Sequence, residues 1–319
     1  MTTEPTPRDR PLRIGTRGSP LALAQAREVR ERLIAAHADL AAPGAVEIVP
    51  IKTTGDRVQD RPLSQVGGKG VFTKEIEEAL LDGRIDFAVH SMKDMPTFLP
   101  DGLAITCLLP REDPRDALFA REGDSLATLP AGAVVGTASL RRQAQVLALR
   151  PDLRVVNFRG NVGSRLRKLE AGEVDATLLA LAGLRRLGLA HEATAVLETE
   201  EMLPAVAQGA IGIETRADDA AVLARLTPLN DRATAICVAA ERGCLAELDG
   251  SCHTPIAALA ELDPDGTALR LRALIALPDG SVVHRDERRG TADRAAELGR
   301  TAGAALKAKA EPAFFQAMA

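Results

Sequence analysis

Cys252 stands in Leu248-Asp249-Gly250-Ser251-Cys252-His253-Thr254-Pro255, a short polar turn, whereas Cys107 and Cys237 lie in apolar runs and read as buried residues. A thiol on such a turn suggests chemistry. Taken with Val89-His-Ser-Met-Lys-Asp-Met-Pro96 and the arginine-bearing loops at 139–142 and 159–165, it points to a covalently held organic group in an arginine-lined cleft. Lys93-Asp94 pairs a carboxylate with a cation, as a general acid/base or a stabiliser of positive charge would need. The competing reading is a solvated turn with a surface ion pair. The helix opening at Ser139-Leu140-Arg141-Arg142 offers a hydroxyl, free amides and two guanidiniums to an anion. The alternative is a Ser cap followed by exposed arginines. Arg159-Gly160-Asn161-Val162-Gly163-Ser164-Arg165 repeats the design, which suits carboxylate or phosphate.

Other chemistries fit less well. Cys244, Cys252 and His253 match no common zinc spacing, so no metal is expected. Adjacent Cys and His rarely reach each other as a nucleophile and base. The glycine-rich loop from Thr53 to Gly70, with Lys69, lacks a phosphate-loop pattern; it reads as a mobile lid or a plain surface loop.

The elements that must position these residues repeat. Leu12-Arg13-Ile14 runs into a glycine turn and a helical pattern through Leu33; Ala133-Val134-Val135 does the same, with a helix through Leu149. Each is followed by a second strand (46–52 or 153–158), a glycine-containing loop and a helix ending in Gly (75–83 or 165–172). Each then enters a third strand through Asp86 or Asp175. This is βαβαβ twice. Such units predict parallel sheets whose ligands lie beyond the carboxyl ends of the strands, in a cleft between two lobes. After Pro228 a helix over 231–247, the cysteine turn, alternating strands such as 269–277 and a helix from Thr291 onward predict a small α+β domain.

The 319 residues exceed one ordinary core, so two or three domains are expected. A composition of 46% hydrophobic and 26% charged residues is that of a soluble protein. A net charge of −4 argues against nucleic acid as a partner. The first residues lack a signal-peptide core and no stretch suits a bilayer, which with four sparse cysteines predicts a cytoplasmic protein without a membrane partner. Seven of the 40 basic residues are lysine, but the alanine richness and the absence of Trp and Tyr suggest a codon bias, so only arginines on site-forming loops count.

Several motifs in order then carry a resemblance over nearly the whole length: Ile14-Gly-Thr-Arg-Gly-Ser-Pro-Leu-Ala-Leu23, Val66-Gly-Gly-Lys-Gly-Val-Phe72, 88–96, Arg111-Glu-Asp-Pro-Arg-Asp116, Gly136-Thr-Ala-Ser-Leu-Arg-Arg-Gln143, 159–163 and Gln208-Gly-Ala-Ile-Gly-Ile-Glu214. The chain resembles the porphobilinogen deaminase (hydroxymethylbilane synthase) family. That resemblance implies an α/β fold: two periplasmic-binding-protein-like βαβ lobes around a cleft plus a small C-terminal α+β domain. Its domains would be 12–109 with 204–227, then 110–203, then 228–319.

The resemblance implies a transferase of tetrapyrrole and haem biosynthesis, acting as a monomer. It would join four porphobilinogen molecules head to tail, with loss of ammonia, onto a dipyrromethane cofactor held by Cys252 through a thioether. It places Asp94 as the catalytic carboxylate and Ser91, Lys93, Thr137, Ser139, Arg141 and Arg142 at the cofactor. Arg17, Ser19, Arg159, Arg165, Arg186 and Gln208 fall toward substrate, and Lys69 on the lid. The sequence departs from the more familiar pattern at Ser251, His253 and Thr254 and at Gln65, and Cys244 is a second nearby thiol. The rival reading is a two-lobed module that binds a small anion without catalysis, which would need neither Cys252 nor Asp94.

Overall fold

The structure, a computed structural model, describes residues 10–57, 70–248, 255–310 and 314. The chain begins with β1 (Leu12–Arg17), α1 (Pro20–Ala36), β2 (Val46–Ile51), a short α2 (Thr54–Arg57), α3 (Lys74–Leu81), β3 (Phe87–Ser91) and β4 (Leu103–Leu108). Then come β5 (Asp116–Ala120), β6 (Val134–Gly136), α4 (Leu140–Leu149), β7 (Arg154–Val156), α5 (Val162–Glu170), β8 (Ala176–Ala180), α6 (Leu181–Arg186) and β9 (Ala195–Leu197). The rest is β10 (Ile211–Arg216), α7 (Ala220–Leu226), α8 (Arg232–Glu247), β11 (Ile256–Leu262), β12 (Ala268–Ala276), β13 (Val283–Thr291) and α9 (Ala295–Lys309).

Among the described residues the strands form two five-stranded sheets, β2-β1-β3-β10-β4 and β7-β6-β8-β5-β9, and a three-stranded sheet, β11-β12-β13. The described residues divide into two compact units. One contains 10–57, 70–111 and 210–235; the other contains 112–209, 236–248, 255–310 and 314.

The two larger sheets share one design. In each, a strand is flanked by two parallel neighbours: β1 by β2 and β3, β6 by β7 and β8. The acidic residues at the third strands explain part of this register. Asp86 accepts from the Arg13 N–H at 2.8 Å and its own N–H donates to the Arg13 carbonyl at 2.9 Å. Asp175 treats Val134 in the same way, at 2.7 and 2.8 Å. Each aspartate thus closes the entry to its sheet.

The expected parallel pairing holds within each βαβαβ unit, but each sheet also takes in antiparallel strands that the expectation did not include. β10 runs antiparallel to β3 and β4, and β5 antiparallel to β8 and β9. Parallel neighbours need a crossover, usually helical. β5 and β10 are entered through irregular segments after β4 and β9, so nothing imposes the parallel sense on them.

Burial follows the sequence periods. Ala22, Ala26, Val29 and Leu33 form one buried stripe of α1, and Leu12, Ile14, Phe87, Val89, Ile211 and Ile213 belong to the same core. Each such fully buried Val, Leu or Ile contributes roughly 1.5–3 kcal/mol of transfer free energy. In the second unit, Leu203 joins Ala257, Leu259 and Leu274 of β11 and β12 in one cluster, so the three-stranded sheet shares apolar contacts with the 112–209 region.

The terminal region departs from expectation at one point. Residues up to Thr291 belong to β13, and the helix begins only at Ala295. β13 pairs with β12 alone and is rich in charge, so no apolar face announces it. α9 approaches α8 so closely that a Cβ on Gly299 would come within 2.0 Å of the Ala240 carbonyl oxygen.

Candidate functional site

In the first unit the carboxyl ends of β1 and β3 and the start of α1 bound a cavity. Its wall includes Arg17, Ser19, Gln25, Phe72, His90, Ser91 and Asp94. β3 passes into a single 3-10 turn, Met92–Asp94. The Met92 N–H donates to the Ala210 carbonyl at 3.0 Å, and the Met95 N–H donates to the Met92 carbonyl at 3.2 Å. The Met92 side chain is buried against Gly212 of β10, where a Cβ would lie 2.0 Å from Sδ. That close approach fixes the turn and leaves Asp94 exposed.

Neighbouring polar groups are arranged around it. The guanidinium carbon of Arg17 lies 4.1 Å from the Phe72 ring centroid. Ser19 caps α1, its hydroxyl accepting from the Ala22 N–H. The Ser91 hydroxyl and the Gln25 side-chain amide are within hydrogen-bond distance, at 2.8 and 3.1 Å. Behind the wall, His90 Nε2 is 2.9 Å from Glu214 Oε2, with both side chains buried. Burial pushes the Glu77 carboxyl up, a Thr73 hydrogen bond opposes this, and the Glu214 charge adds to the rise.

The second unit gathers Thr137, Ser139, Arg141, Arg142 and Gln208. Ser139 caps α4 by accepting from the Arg142 N–H, and its own N–H donates to the Thr137 hydroxyl. The sequence reading offered both arginines to an outside anion. The structure instead buries both guanidiniums on Asp116, at 2.7 Å each. Arg141 also donates to the Leu203 carbonyl and Arg142 to the Leu178 carbonyl, both at 2.8 Å. Gln208 donates to Asp116 at 2.8 Å and to the Pro114 carbonyl at 2.7 Å. Burial raises the Asp116 carboxyl, but the two guanidiniums and these hydrogen bonds outweigh it and hold the group well below the usual carboxylate range.

Two guanidiniums against one carboxylate leave this cluster with surplus positive charge. The buried Nε–H groups of Arg141 and Arg142 donate no hydrogen bond among the described residues. Nearby in sequence, Arg165 Nε donates to the Gly160 carbonyl at 2.9 Å, Arg186 donates to the Gly209 carbonyl at 3.1 Å, and Arg159 is half-buried.

Cys252, His253, Lys69 and Gln65 lie outside the described residues. Cys244 is fully buried, and burial, helped by the Asp286 and Glu241 charges, pushes its thiol up to about 12. Among the described residues no group of His, Cys, Asp or Glu could hold a metal, and no helix is long and apolar enough to cross a membrane.

Sequence reasoning missed Asp116, Gln25, Phe72 and the His90–Glu214 pair as parts of these sites. The available signal was a charged residue inside or opening an apolar strand, as at Asp116, His90 and Glu214.

A family model described as porphobilinogen deaminase, dipyromethane cofactor binding domain, matches residues 12–224, and one described as porphobilinogen deaminase, C-terminal domain, matches 235–308. The chain is 60% identical over 309 residues to the chloroplastic porphobilinogen deaminase of Oryza sativa subsp. japonica, covering 96% of this chain and 86% of that one. It is 58% identical over 315 residues to the porphobilinogen deaminase of Paracoccus denitrificans (strain Pd 1222), covering 99% of each. Among solved structures, a methionine-binding protein aligns with a TM-score of 0.43 at 16% identity, covering 68% of this chain and 89% of that one.

Proposed function

The chain belongs to the porphobilinogen deaminase family, and we propose how its own residues carry that family's reaction. The enzyme joins four porphobilinogen molecules head to tail, with loss of ammonia, onto a covalent dipyrromethane, and water releases 1-hydroxymethylbilane for tetrapyrrole and haem biosynthesis. This membership sets aside the non-catalytic binding module.

Dipyrromethane, when bound, supplies the terminal pyrrole carbon to which each unit is joined. Every pyrrole carries an acetate and a propionate, so the bound chain is a polyanion. The donor set of the second unit fits such a group, because its cluster has surplus positive charge and two buried Nε–H groups that donate no hydrogen bond among the described residues. In this proposal Cys252 anchors the cofactor, and Ser91, Lys93, Thr137, Ser139, Arg141 and Arg142 hold it. Arg17, Ser19, Arg159, Arg165, Arg186 and Gln208 face substrate, Gln208 while donating to Asp116, and Lys69 belongs to a lid.

Asp94 is the proposed catalytic group. Its carboxylate stabilises positive charge left as ammonia departs and accepts the proton released when the new carbon–carbon bond forms. The observation that carries this reading is an exposed Asp94, held on a fixed turn, on the same cavity wall as Arg17. The same proposal includes a three-domain division at 12–109 with 204–227, 110–203 and 228–319, a monomer, and a cytoplasmic location, the last supported by the buried free thiols of Cys107 and Cys244.

The test is intact mass with peptide mapping, followed by turnover. Excess mass of two linked pyrroles on the Cys252 peptide is expected, and Asp94→Ala should carry that mass yet lose roughly 100-fold or more in kcat. Near-normal turnover by Asp94→Ala would remove the carboxylate from the chemistry; cofactor on another peptide would remove Cys252.

A further inference from the structure

The Phe72 ring lines the cavity together with Arg17, whose guanidinium carbon is 4.1 Å from the ring centroid. What sets the ring itself lies off the cavity wall. Phe72 sits in a tight turn: Gly70 is left-handed at φ 87°, and its carbonyl accepts from the Thr73 and Lys74 N–H groups at 3.0 Å each. The start of α2 closes on this turn. The Gly55 N–H donates to the Val71 carbonyl at 2.9 Å, and Gly55 packs so closely that an added Cβ would come 2.2, 2.4 and 2.8 Å from three carbons of the Phe72 ring. α2 spans only four residues, too few to keep its place by helical bonds of its own. Glu75, in the first turn of α3, supplies the hold. Its Oε1 accepts from the Thr54 N–H at 2.8 Å and from the Thr54 hydroxyl at 2.6 Å. Both bonds end on a carboxylate, which makes them stronger than neutral ones, and the first turn of a helix favours negative charge.

We propose that Glu75 and Thr54 are positioning residues for substrate: the Glu75 carboxylate pins α2 against the 70–73 turn, α2 sets the Phe72 ring, and the ring orients the Arg17 guanidinium at the cavity. This rests on the proposed reading that Arg17 faces substrate. Glu75 and Thr54 do not border the cavity, so they act through Phe72 and not on the reacting atoms. Ordering an arginine costs rotamer freedom, and a fixed ring face favours one orientation of it. The effect therefore falls on substrate binding, read in KM, rather than on the chemistry at Asp94, read in kcat. A bond that served folding alone would not make this distinction.

Kinetics with porphobilinogen and fluorine NMR on the full-length holoenzyme test this. With 4-fluorophenylalanine in place of the seven phenylalanines, the Phe72 resonance is the one that Phe72→Leu removes. Glu75→Ala should shift or broaden that resonance and raise KM about two- to fivefold, with kcat changed less. Glu75→Gln, whose amide oxygen accepts from the same two donors without a charge, should recover most of both losses, which a purely electrostatic role for the carboxylate would not allow. Thr54→Val removes one of the two bonds and should move KM in the same direction by a smaller factor. Combined with Phe72→Leu, Glu75→Ala should raise KM little further, because both changes act through the same ring. An unmoved Phe72 resonance in Glu75→Ala, a parental KM there beside a raised KM in Phe72→Leu, or KM effects that multiply in the double variant would each overturn the proposal. Should Glu75→Ala fail to fold, the resonance and KM of Thr54→Val decide alone. A parental KM in Arg17→Gln would instead sink the reading of Arg17, with the Phe72 resonance still reporting the hold of Glu75 on the ring, so the two failures are distinguishable.

Discussion

The Arg17 guanidinium lies over the face of the Phe72 ring, 4.1 Å from its centroid, on the wall of the cavity that Asp94 borders. The ring is itself held by a close approach, since a Cβ on Gly55 would fall 2.2 Å from it. A cation over an aromatic face at a partly exposed site is worth about 0.5–1 kcal/mol. Phe72→Leu removes the quadrupole and keeps an apolar body, so KM for porphobilinogen should rise about two- to fivefold, with kcat changed less. Steady-state kinetics with a melting control measures this; an unchanged KM would mean the ring does not hold Arg17 for substrate.

Asp116 is the keystone of the second unit's cluster, because both buried guanidiniums and the Gln208 amide converge on it. Removing one partner of a buried ion pair costs about 3–5 kcal/mol, since the remaining charge is left without compensation. Asp116→Asn should therefore lower stability in urea by about that much. The pH dependence follows from the sign of the shift. The folded carboxyl is held below its ordinary range, so its stabilisation is complete above the unfolded value of about 4 and is lost as pH falls through the depressed folded value. The parent and Asp116→Asn stability curves should thus converge below pH 4. Parallel curves down to the acid transition would contradict that account.

How far these sites were legible depends on the range of the interaction. Ser139 as a helix cap could be read because the hydroxyl and the amide it meets are three residues apart, and the matching entry through Asp86 and Asp175 stands out as a repeat. The Asp116 pairing could not, because its partners lie 25 and 26 residues away on α4 and no local period connects them. It ties Arg141 and Arg142 to a buried carboxylate that their own helix does not announce. The antiparallel sense of β5 and β10 was hidden for a similar reason: strand direction is set by the route of the connecting chain, which apolar content does not record. His90 and Glu214 each look like an isolated polar residue in an apolar strand, and only pairing β3 with β10 in register makes them neighbours.

Gly212 predicts a loss of activity disproportionate to its loss of stability. An added methyl would meet Met92 Sδ at 2.0 Å, and the Met92 N–H is tied to Ala210, so the clash must move the turn that carries Asp94. Overpacking of this kind costs about 1–3 kcal/mol, while a displacement of about 1 Å at a reacting group can cost 100-fold in rate. Gly212→Ala should melt a few degrees lower yet lose more than about tenfold in kcat, and Met92→Ala in the same chain should restore part of it. Equal rates for Gly212→Ala and the parent would show that the turn tolerates the shift.

Cys244 precedes Cys252 by eight residues and is the natural competitor for cofactor attachment. Its thiol is fully buried and pushed up to about 12, chiefly by burial, as is that of Cys107. A thiolate is the reactive form, so at pH 8 only about one molecule in ten thousand would present one at either position. Native protein treated with iodoacetamide at that pH should remain unlabelled at Cys107 and Cys244 and become labelled there only on unfolding. Cys244→Ala should retain the covalent mass of two pyrroles, at a stability cost of about 1–3 kcal/mol for the space left beside α9, whereas Cys252→Ala should carry no covalent pyrroles. Loss of the bound mass from a folded Cys244→Ala protein would overturn the assignment to Cys252, because a buried thiol with so little thiolate would then have to be the group that forms the thioether.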